Sequence, residues 1–183
     1  VVAFLLLREP DFGATSVMLV TCLGMLFLAG VRWWQFAVLF GGVVFSMATL
    51  AITSPYRMQR LTSFLNPWAT QYDSGYQLTQ SLIAFGRGGW FGTGLGDSVQ
   101  KLFYLPEAHT DFLFAVLAEE LGLIGVLFVL FLYGVLIYRG LLVGYVAHSQ
   151  ERFFASYTAY GLTFWLGLQS IINIGVNSGL LPT

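Results

Sequence analysis

Asp111 is the residue of this chain best placed to do chemistry, because it ends a polar segment and begins an apolar one. The segment closes with Lys101-Leu-Phe-Tyr-Leu-Pro-Glu-Ala-His-Thr-Asp111 and leads directly into a hydrophobic run. A carboxylate at such a boundary is suited to accept a proton from a hydroxyl of an amphiphilic substrate. The alternative interpretation is that Thr110 or Asp111 caps the helix that follows, a role compatible with catalysis.

Two more acidic residues, Glu119 and Glu120, follow Asp111 within the apolar run. On a helix that rises 1.5 Å per residue they lie about 12–14 Å from Asp111. A glycosidase pair of carboxylates needs roughly 5–9.5 Å, so no such pair is predicted. We expect both residues to form structural pairs with another helix. Since His109 has no second His or Cys at ligand spacing, the sequence predicts no zinc site.

Basic side chains in the same polar segment are suited to phosphate. A guanidinium group binds phosphoryl oxygens through paired hydrogen bonds, and an ammonium group adds a point charge. For each basic residue taken singly, the alternative interpretation is that its side chain extends to the lipid headgroups and binds no substrate. The predicted substrate-binding residues are Arg57, Arg60, Arg87, Lys101, His109 and Glu107.

Composition places the chain in a membrane. Hydrophobic residues make up 57% of the 183 residues and charged residues 9%, with a mean hydropathy of +0.75. Soluble domains carry roughly 25% charged residues, so an ordinary soluble enzyme, a disordered chain and a disulfide-rich module are excluded. The net charge of −1 argues against a nucleic-acid partner. Cys22 is the only cysteine, so no internal disulfide can form.

Uncharged intervals locate the helices. A bilayer core about 30 Å thick needs about 20 residues of helix, and backbone in lipid must satisfy its own hydrogen bonds. We therefore predict an all-α polytopic membrane domain over residues 1–183, and expect it to be a fragment of a longer protein. The predicted spans are residues 13–31, 33–56, 112–138 and 153–176, with a partial span at 1–7.

The polar segment 57–111 separates the second span from the third. Its residues 76–85 place apolar side chains at helical spacing, which predicts an amphipathic helix at the membrane surface.

Asn173 and Asn177 lie one helical turn apart in the last span, a pattern more typical of helix packing than of substrate binding. A count of lysines and arginines puts the segment 57–111 in the cytoplasm by the positive-inside rule.

Several runs of residues occur in combination along nearly the whole chain. They are Pro10-Asp-Phe-Gly13, Pro55-Tyr-Arg57, Phe64-Leu-Asn-Pro-Trp68, Gly75-Tyr-Gln-Leu-Thr-Gln-Ser-Leu82, Gly92-Thr-Gly-Leu-Gly96, Ser98-Val-Gln-Lys101, Leu105-Pro-Glu-Ala-His-Thr-Asp-Phe112, Ala118-Glu-Glu-Leu-Gly122 and Gly179-Leu-Leu-Pro-Thr183. In this combination the chain resembles the SEDS (shape, elongation, division and sporulation) family of membrane proteins. The Lys101-Leu-Phe-Tyr run resembles the division branch more than the elongation branch.

The resemblance implies a fold of roughly ten membrane helices in the bacterial inner membrane, with the long segment 57–111 extracytoplasmic. This contradicts the charge count, and we favour the resemblance because its motifs are more specific. It also implies a peptidoglycan glycosyltransferase (hexosyltransferase class) that polymerises lipid II into glycan strands for septal cell-wall synthesis. A class B penicillin-binding protein and other cell-division proteins are the implied partners.

Within that family the proposed catalytic aspartate corresponds to Asp111, acting as general base. The basic residues would offset charge on the departing lipid diphosphate. A divalent cation, Mg²⁺ or Mn²⁺, is a candidate cofactor for the same task, but the sequence offers no complete ligand set and we name no metal-binding residue. Two other functions stay open: a lipid II flippase, and a non-catalytic scaffold of the division machinery.

Overall fold

Five α-helices make up most of the computed structural model, which describes residues 12–53, 59 and 63–182. They are α1 (Phe12–Leu28), α2 (Trp33–Ile52), α3 (Tyr76–Gly88), α4 (Leu113–Ser149) and α5 (Phe153–Asn177), and no strand occurs within the described ranges. A short 3₁₀ turn, Pro67–Thr70, and a π-helical turn, Gln100–Tyr104, lie in the polar segment. The predicted all-α fold class is confirmed.

The helices differ from the predicted spans mainly at their ends. α1 stops at Leu28, three residues short of the predicted end, because Gly30 takes a positive φ of 77°. α4 continues past Arg139 to Ser149, since one charged residue sets a membrane boundary without ending a helix. The predicted partial span 1–7 and the end of the second span, residues 54–56, lie outside the described residues.

Helices α4 and α5 are each long and apolar enough to cross a bilayer. The uncharged part of α4, between Glu120 and Arg139, rises about 27 Å at 1.5 Å per residue. A hydrocarbon core about 30 Å thick therefore fits this part of the helix.

The chain divides into two compact units. One contains Val1–Thr53 and Gly134–Gln169, and the other contains Ser54–Tyr133 and Ser170–Thr183. In the first unit, the glycines of α4 make room for α5: a Cβ on Gly144 would lie 2.5 Å from the ring of Tyr160. Ser156 is fully buried there and donates a 2.8 Å hydrogen bond to the carbonyl of Gly144.

The second unit contains every candidate site residue that the structure describes. Its core is formed by α3, the segment before α4 and the first turns of α4. The buried residues of one cluster are Ala84, Leu105, Ala108, Phe112, Ala115 and Val116. This cluster fixes the main chain on both sides of Asp111.

Candidate functional site

The segment from Leu105 to Phe112 is held by three buried residues and presents its polar side chains outward. Leu105, Ala108 and Phe112 are buried, with Phe112 only 3% exposed. Glu107, His109 and Asp111 lie between these anchors and are exposed. The alternation gives one short stretch of chain a rigid apolar side and a polar side open to solvent.

A tight turn at Glu107 sets the path of this stretch. Glu107 has a φ of 55°, unusual for a residue with a side chain. Its carbonyl accepts hydrogen bonds from the amides of Thr110 and Phe112, each at 3.2 Å. Its carboxylate accepts a 2.9 Å hydrogen bond from the hydroxyl of Thr110. Glu107 thus has a structural role in the turn, alongside its predicted role in binding substrate.

The prediction that Thr110 or Asp111 caps α4 is wrong. The helix begins at Leu113, and the carbonyl of Phe112 accepts its first hydrogen bonds, from the amides of Ala115 and Val116. The capping oxygen comes from α5: Oδ1 of Asn177 accepts a 3.0 Å hydrogen bond from the amide of Ala115. The amide of Ala115 thus shares its hydrogen between the carbonyl of Phe112 and a side chain from a distant helix, in the place where a local Ser, Thr or Asp normally caps.

The same asparagine also holds Asp111 by its main chain. Nδ2 of Asn177 donates a 2.7 Å hydrogen bond to the carbonyl of Asp111, and Nδ2 of Asn173 donates to the same oxygen at 3.1 Å. Within residues 12–53, 59 and 63–182, no group donates to the Asp111 carboxylate. The side chain is exposed while its backbone is fixed, so the carboxylate remains available to a substrate.

Arg87 and Glu119 join the end of α3 to the first part of α4. Nη1 of Arg87 lies 3.5 Å from Oε1 of Glu119, whose side chain is completely buried. The other carboxylate oxygen accepts a 2.5 Å hydrogen bond from Ser98 and a 3.2 Å hydrogen bond from the amide of Gln100. Glu119 is therefore structural, as predicted, but its partners lie in the polar segment and on α3.

Lys101 makes an ion pair with Glu120 at the same level of α4. Its side chain is 22% exposed, against 43% for that of Arg87. A guanidinium group has five N–H donors, so Arg87 keeps donors for a phosphate while it pairs with Glu119. Lys101 is less available to bind a phosphate, because its side chain is less exposed and its ammonium group pairs with Glu120. Arg57 and Arg60, the other two predicted phosphate ligands, lie outside the described residues.

A break in α4 at Gly122 accommodates the glycine-rich loop that follows α3. Gly122 has φ 66° and ψ −166°, which is not helical. The carbonyls of Glu119 and Glu120 accept hydrogen bonds from Thr93 and Gly94, at 2.9 and 3.1 Å. On the other side of the break, the amides of Leu123 and Ile124 donate to the carbonyls of Gly89 and Trp90. The loop thus replaces the hydrogen bonds that the helix loses.

Sequence reasoning missed two parts of this arrangement. The run Ala118-Glu-Glu-Leu-Gly122 was noted only for its resemblance, although a glycine inside an apolar span is a signal for a break or a close backbone approach. The spacing of Asn173 and Asn177 indicates helix packing, which agrees with the hydrogen bond of Asn177 to Ala115, but their contact with Asp111 has no local signal. In the part of the chain that the structure describes, no three His, Cys, Asp or Glu residues cluster as metal ligands would.

Comparisons with known proteins cover the whole chain. The family model FTSW_RODA_SPOVE, described as a cell cycle protein, matches residues 1–183. A protein of Legionella pneumophila subsp. pneumophila is 69% identical over 183 residues, which are 100% of this chain and 46% of that protein. A protein of Coxiella burnetii is 67% identical over 179 residues, 98% of this chain and 48% of its own length. Both are named probable peptidoglycan glycosyltransferase FtsW.

A solved structure is similar as well. It was reported as "Structural coordination of polymerization and crosslinking by a peptidoglycan synthase complex". One of its chains is 28% identical, with a TM-score of 0.74, and the match covers 100% of this chain and 49% of that one. The chain studied therefore spans about half the length of the relatives it matches.

Proposed function

The chain belongs to the family of FtsW, RodA and SpoVE cell cycle proteins, and on this premise we propose that the whole protein is a peptidoglycan glycosyltransferase. Its substrate is lipid II, a sugar linked to undecaprenyl diphosphate, which it polymerises into glycan strands during septal cell-wall synthesis. The relatives from Legionella pneumophila and Coxiella burnetii are both named probable peptidoglycan glycosyltransferase FtsW, which supports the proposed activity and the assignment to the division branch of the family.

Asp111 is the general base of the proposed reaction. Its carboxylate takes the proton of the acceptor sugar hydroxyl while that oxygen attacks the anomeric carbon of the donor. The new C–O bond forms as the bond to the lipid diphosphate breaks, and the diphosphate leaves with the bonding electrons. A single displacement of this kind inverts the anomeric centre and needs only one carboxylate, so the distance to Glu119 and Glu120 is no objection.

One observation carries the assignment: Asp111 combines a carboxylate that no described residue engages with a main chain that two asparagines fix. A surface aspartate without function would have no need of a backbone held from a helix more than sixty positions away. Proton transfer needs the base within about 2.6–3.2 Å of the hydroxyl, and a fixed backbone narrows the positions that the carboxylate can reach.

The basic residues hold the leaving group in this proposal. Arg87 is the most suitable described residue, because its guanidinium is anchored by buried Glu119 and remains 43% exposed. Arg57, Arg60 and Lys101 are proposed to share the task, with Glu107 and His109 at the sugar. Positive charge near the departing diphosphate stabilises the transition state more than the ground state. A bound Mg²⁺ or Mn²⁺ would add charge of the same sign.

The proposed setting is the bacterial inner membrane at the septum, with the segment 57–111 on its outer face. A class B penicillin-binding protein and other division proteins are the proposed partners. The similar solved structure supports the first of these, since it concerns a synthase complex that coordinates polymerization with crosslinking. The apolar helices α4 and α5 support the membrane location.

The test is glycan polymerisation from purified lipid II by the full-length protein, assayed with its penicillin-binding protein partner. General-base catalysis contributes typically 10²–10⁴-fold, so Asp111→Asn should lower the rate by about that factor. Binding of lipid II should persist. Asp97→Asn is the matched control, because Asp97 is an exposed aspartate of the same polar segment.

Polymerisation by Asp111→Asn at the rate of Asp97→Asn would overturn the assignment of the base. A vesicle assay separates the flippase alternative, since a flippase moves lipid II across the bilayer without lengthening any glycan. If wild-type protein moves lipid II and polymerises none, the proposed activity is wrong. A scaffold would do neither.

A further inference from the structure

Asn177 joins three segments of the second unit through one buried side chain and its own carbonyl. The residue is fully buried. Its side chain donates to the carbonyl of Asp111 at 2.7 Å and accepts from the amide of Ala115 at 3.0 Å. Its carbonyl, at the end of α5, accepts a 2.6 Å hydrogen bond from the hydroxyl of Ser81 on α3.

We propose that Asn177 is a positioning residue for the reaction, which acts by setting the place and direction of the Asp111 carboxylate. The proposal rests on the function proposed above and extends it to a residue that does not touch substrate. It follows from the geometry: one hydrogen bond of the side chain holds the main chain before α4, at Asp111, and another holds its first turn, at Ala115.

The two hydrogen bonds together fix the backbone between them. The bond to the Asp111 carbonyl fixes the plane of the peptide that follows Asp111, and the bond to Ala115 fixes the first turn of α4. Phe112 lies between the two points and is buried in the apolar cluster. Asp111 therefore has little backbone freedom, although its side chain extends into solvent.

Ser81 keeps Asn177 itself in place. The last carbonyls of a helix have no partner within the helix, and the hydroxyl of Ser81, which is fully buried, supplies one for Asn177. Asn173 gives a second and weaker support: it donates to the same Asp111 carbonyl at 3.1 Å but makes no bond to Ala115. The chain thus offers variants that weaken the support of the Asp111 carbonyl and leave an acceptor for the amide of Ala115 in place.

Three variants of the full-length protein test the proposal. Asn177→Ala removes every hydrogen bond of the side chain, including the 2.9 Å bond that Nδ2 donates to the carbonyl of Asn173. Asn177→Asp keeps an acceptor for the amide of Ala115 but, as a carboxylate, has no donor for the Asp111 carbonyl. Asn173→Ala removes only the second donor. The control is Ser156→Ala, which deletes another fully buried hydrogen bond between α5 and α4, within the first unit and away from Asp111.

Each variant is assayed for kcat and KM with lipid II, and for hydrogen exchange of residues 107–116. Small misplacement of a catalytic group costs up to about 100-fold in rate. We expect kcat to fall about 10- to 100-fold in Asn177→Ala and Asn177→Asp, and less in Asn173→Ala. KM should stay within about twofold, because the substrate contacts are unchanged. Exchange should quicken in Asn177→Ala, whereas Asn177→Asp should keep the amide of Ala115 protected.

A purely structural role predicts a different pattern. Asn177→Ala and Ser156→Ala would then lose thermal stability together, and both would keep the kcat of wild type per folded molecule. That result, or full activity of Asn177→Asp, overturns the inference. If Asn177→Ala fails to fold, Asn173→Ala provides the test. A wild-type kcat in Asn173→Ala would also contradict the proposed positioning role. Failure of the proposed function is recognised separately, by full polymerisation in Asp111→Asn.

Discussion

Ser98 donates its hydroxyl hydrogen to Oε2 of Glu119 at 2.5 Å, across 21 positions of the chain. Both side chains are completely buried. The same carboxylate pairs with Arg87 and accepts from the amides of Val99 and Gln100. One acidic residue inside an apolar helix thus holds the turn before Lys101 and the end of α3, and its ion pair and hydrogen bonds offset the cost of burying the charge.

Removal of the Glu119 charge should destabilise the second unit. In Glu119→Gln one acceptor oxygen becomes an NH₂ donor, which then faces either the amide of Gln100 or the amide of Val99 and the guanidinium of Arg87. Hydrogen bonds to charged groups are worth about 1.5–3 kcal/mol, and we expect a loss of stability of about that size. Thermal denaturation of the purified full-length protein measures it. Glu151→Gln, at an exposed turn, is the control and should leave the melting temperature unchanged.

The glycine-rich loop should tolerate a methyl group at Gly96 far better than at Gly92. Both residues have positive φ, 79° at Gly92 and 90° at Gly96. A Cβ on Gly92 would lie 2.7 Å from the main-chain nitrogen of Leu121 and closer still to the carbonyl of Glu120, whereas a Cβ on Gly96 meets nothing within 4 Å.

We therefore expect Gly96→Ala to cost about 1–2 kcal/mol from backbone conformation alone. Gly92→Ala should cost at least about 1–3 kcal/mol more, because rigid backbone must move. The difference in melting temperature between the two variants measures the fit of the loop into the break at Gly122. Equal stability of the two would show that the loop does not pack against the break.

Exchange of the charges of Lys101 and Glu120 separates two roles of the lysine. The side chains form an ion pair and are both largely buried. Lys101→Glu alone places two carboxylates together and should destabilise the protein, and the added change Glu120→Lys should restore most of the loss.

If Lys101 also binds the diphosphate, the double variant should recover its stability while KM for lipid II stays raised. Thermal denaturation and steady-state kinetics of the same samples give both quantities. Recovery of KM together with stability would assign Lys101 to the ion pair alone.

The outward orientation of the segment 57–111 can be tested by chemical labelling. In a cysteine-free full-length protein, with Cys22→Ser, a single cysteine is introduced as Asp97→Cys or as Gln150→Cys. Both positions are exposed, and in the sequence one precedes and the other follows the uncharged part of α4. A thiol reagent that does not cross membranes should label the first in intact spheroplasts, and the second only after lysis. The reverse pattern would favour the cytoplasmic location that the count of basic residues predicts.

Composition and charge spacing determined the class of protein and the approximate helices. Nine per cent of charged residues cannot cover a soluble fold, and uncharged intervals of about 20 residues mark helices because of the thickness of a bilayer. The predicted amphipathic helix at 76–85 corresponds to α3, Tyr76–Gly88. Asp111 could also be identified from the sequence, because its position between a polar segment and an apolar run is a local feature.

Tertiary structure decided which groups are free and which are engaged. The sequence placed four basic residues in one segment, but only the fold pairs Arg87 with Glu119 and Lys101 with Glu120. It also offered Thr110 or Asp111 as an alternative cap of α4, where the fold supplies Asn177, 62 positions beyond Ala115. Hydrogen bonds between distant segments depend on how helices pack, and local residue types carry no record of that packing. The freedom of the Asp111 carboxylate is a consequence of this arrangement.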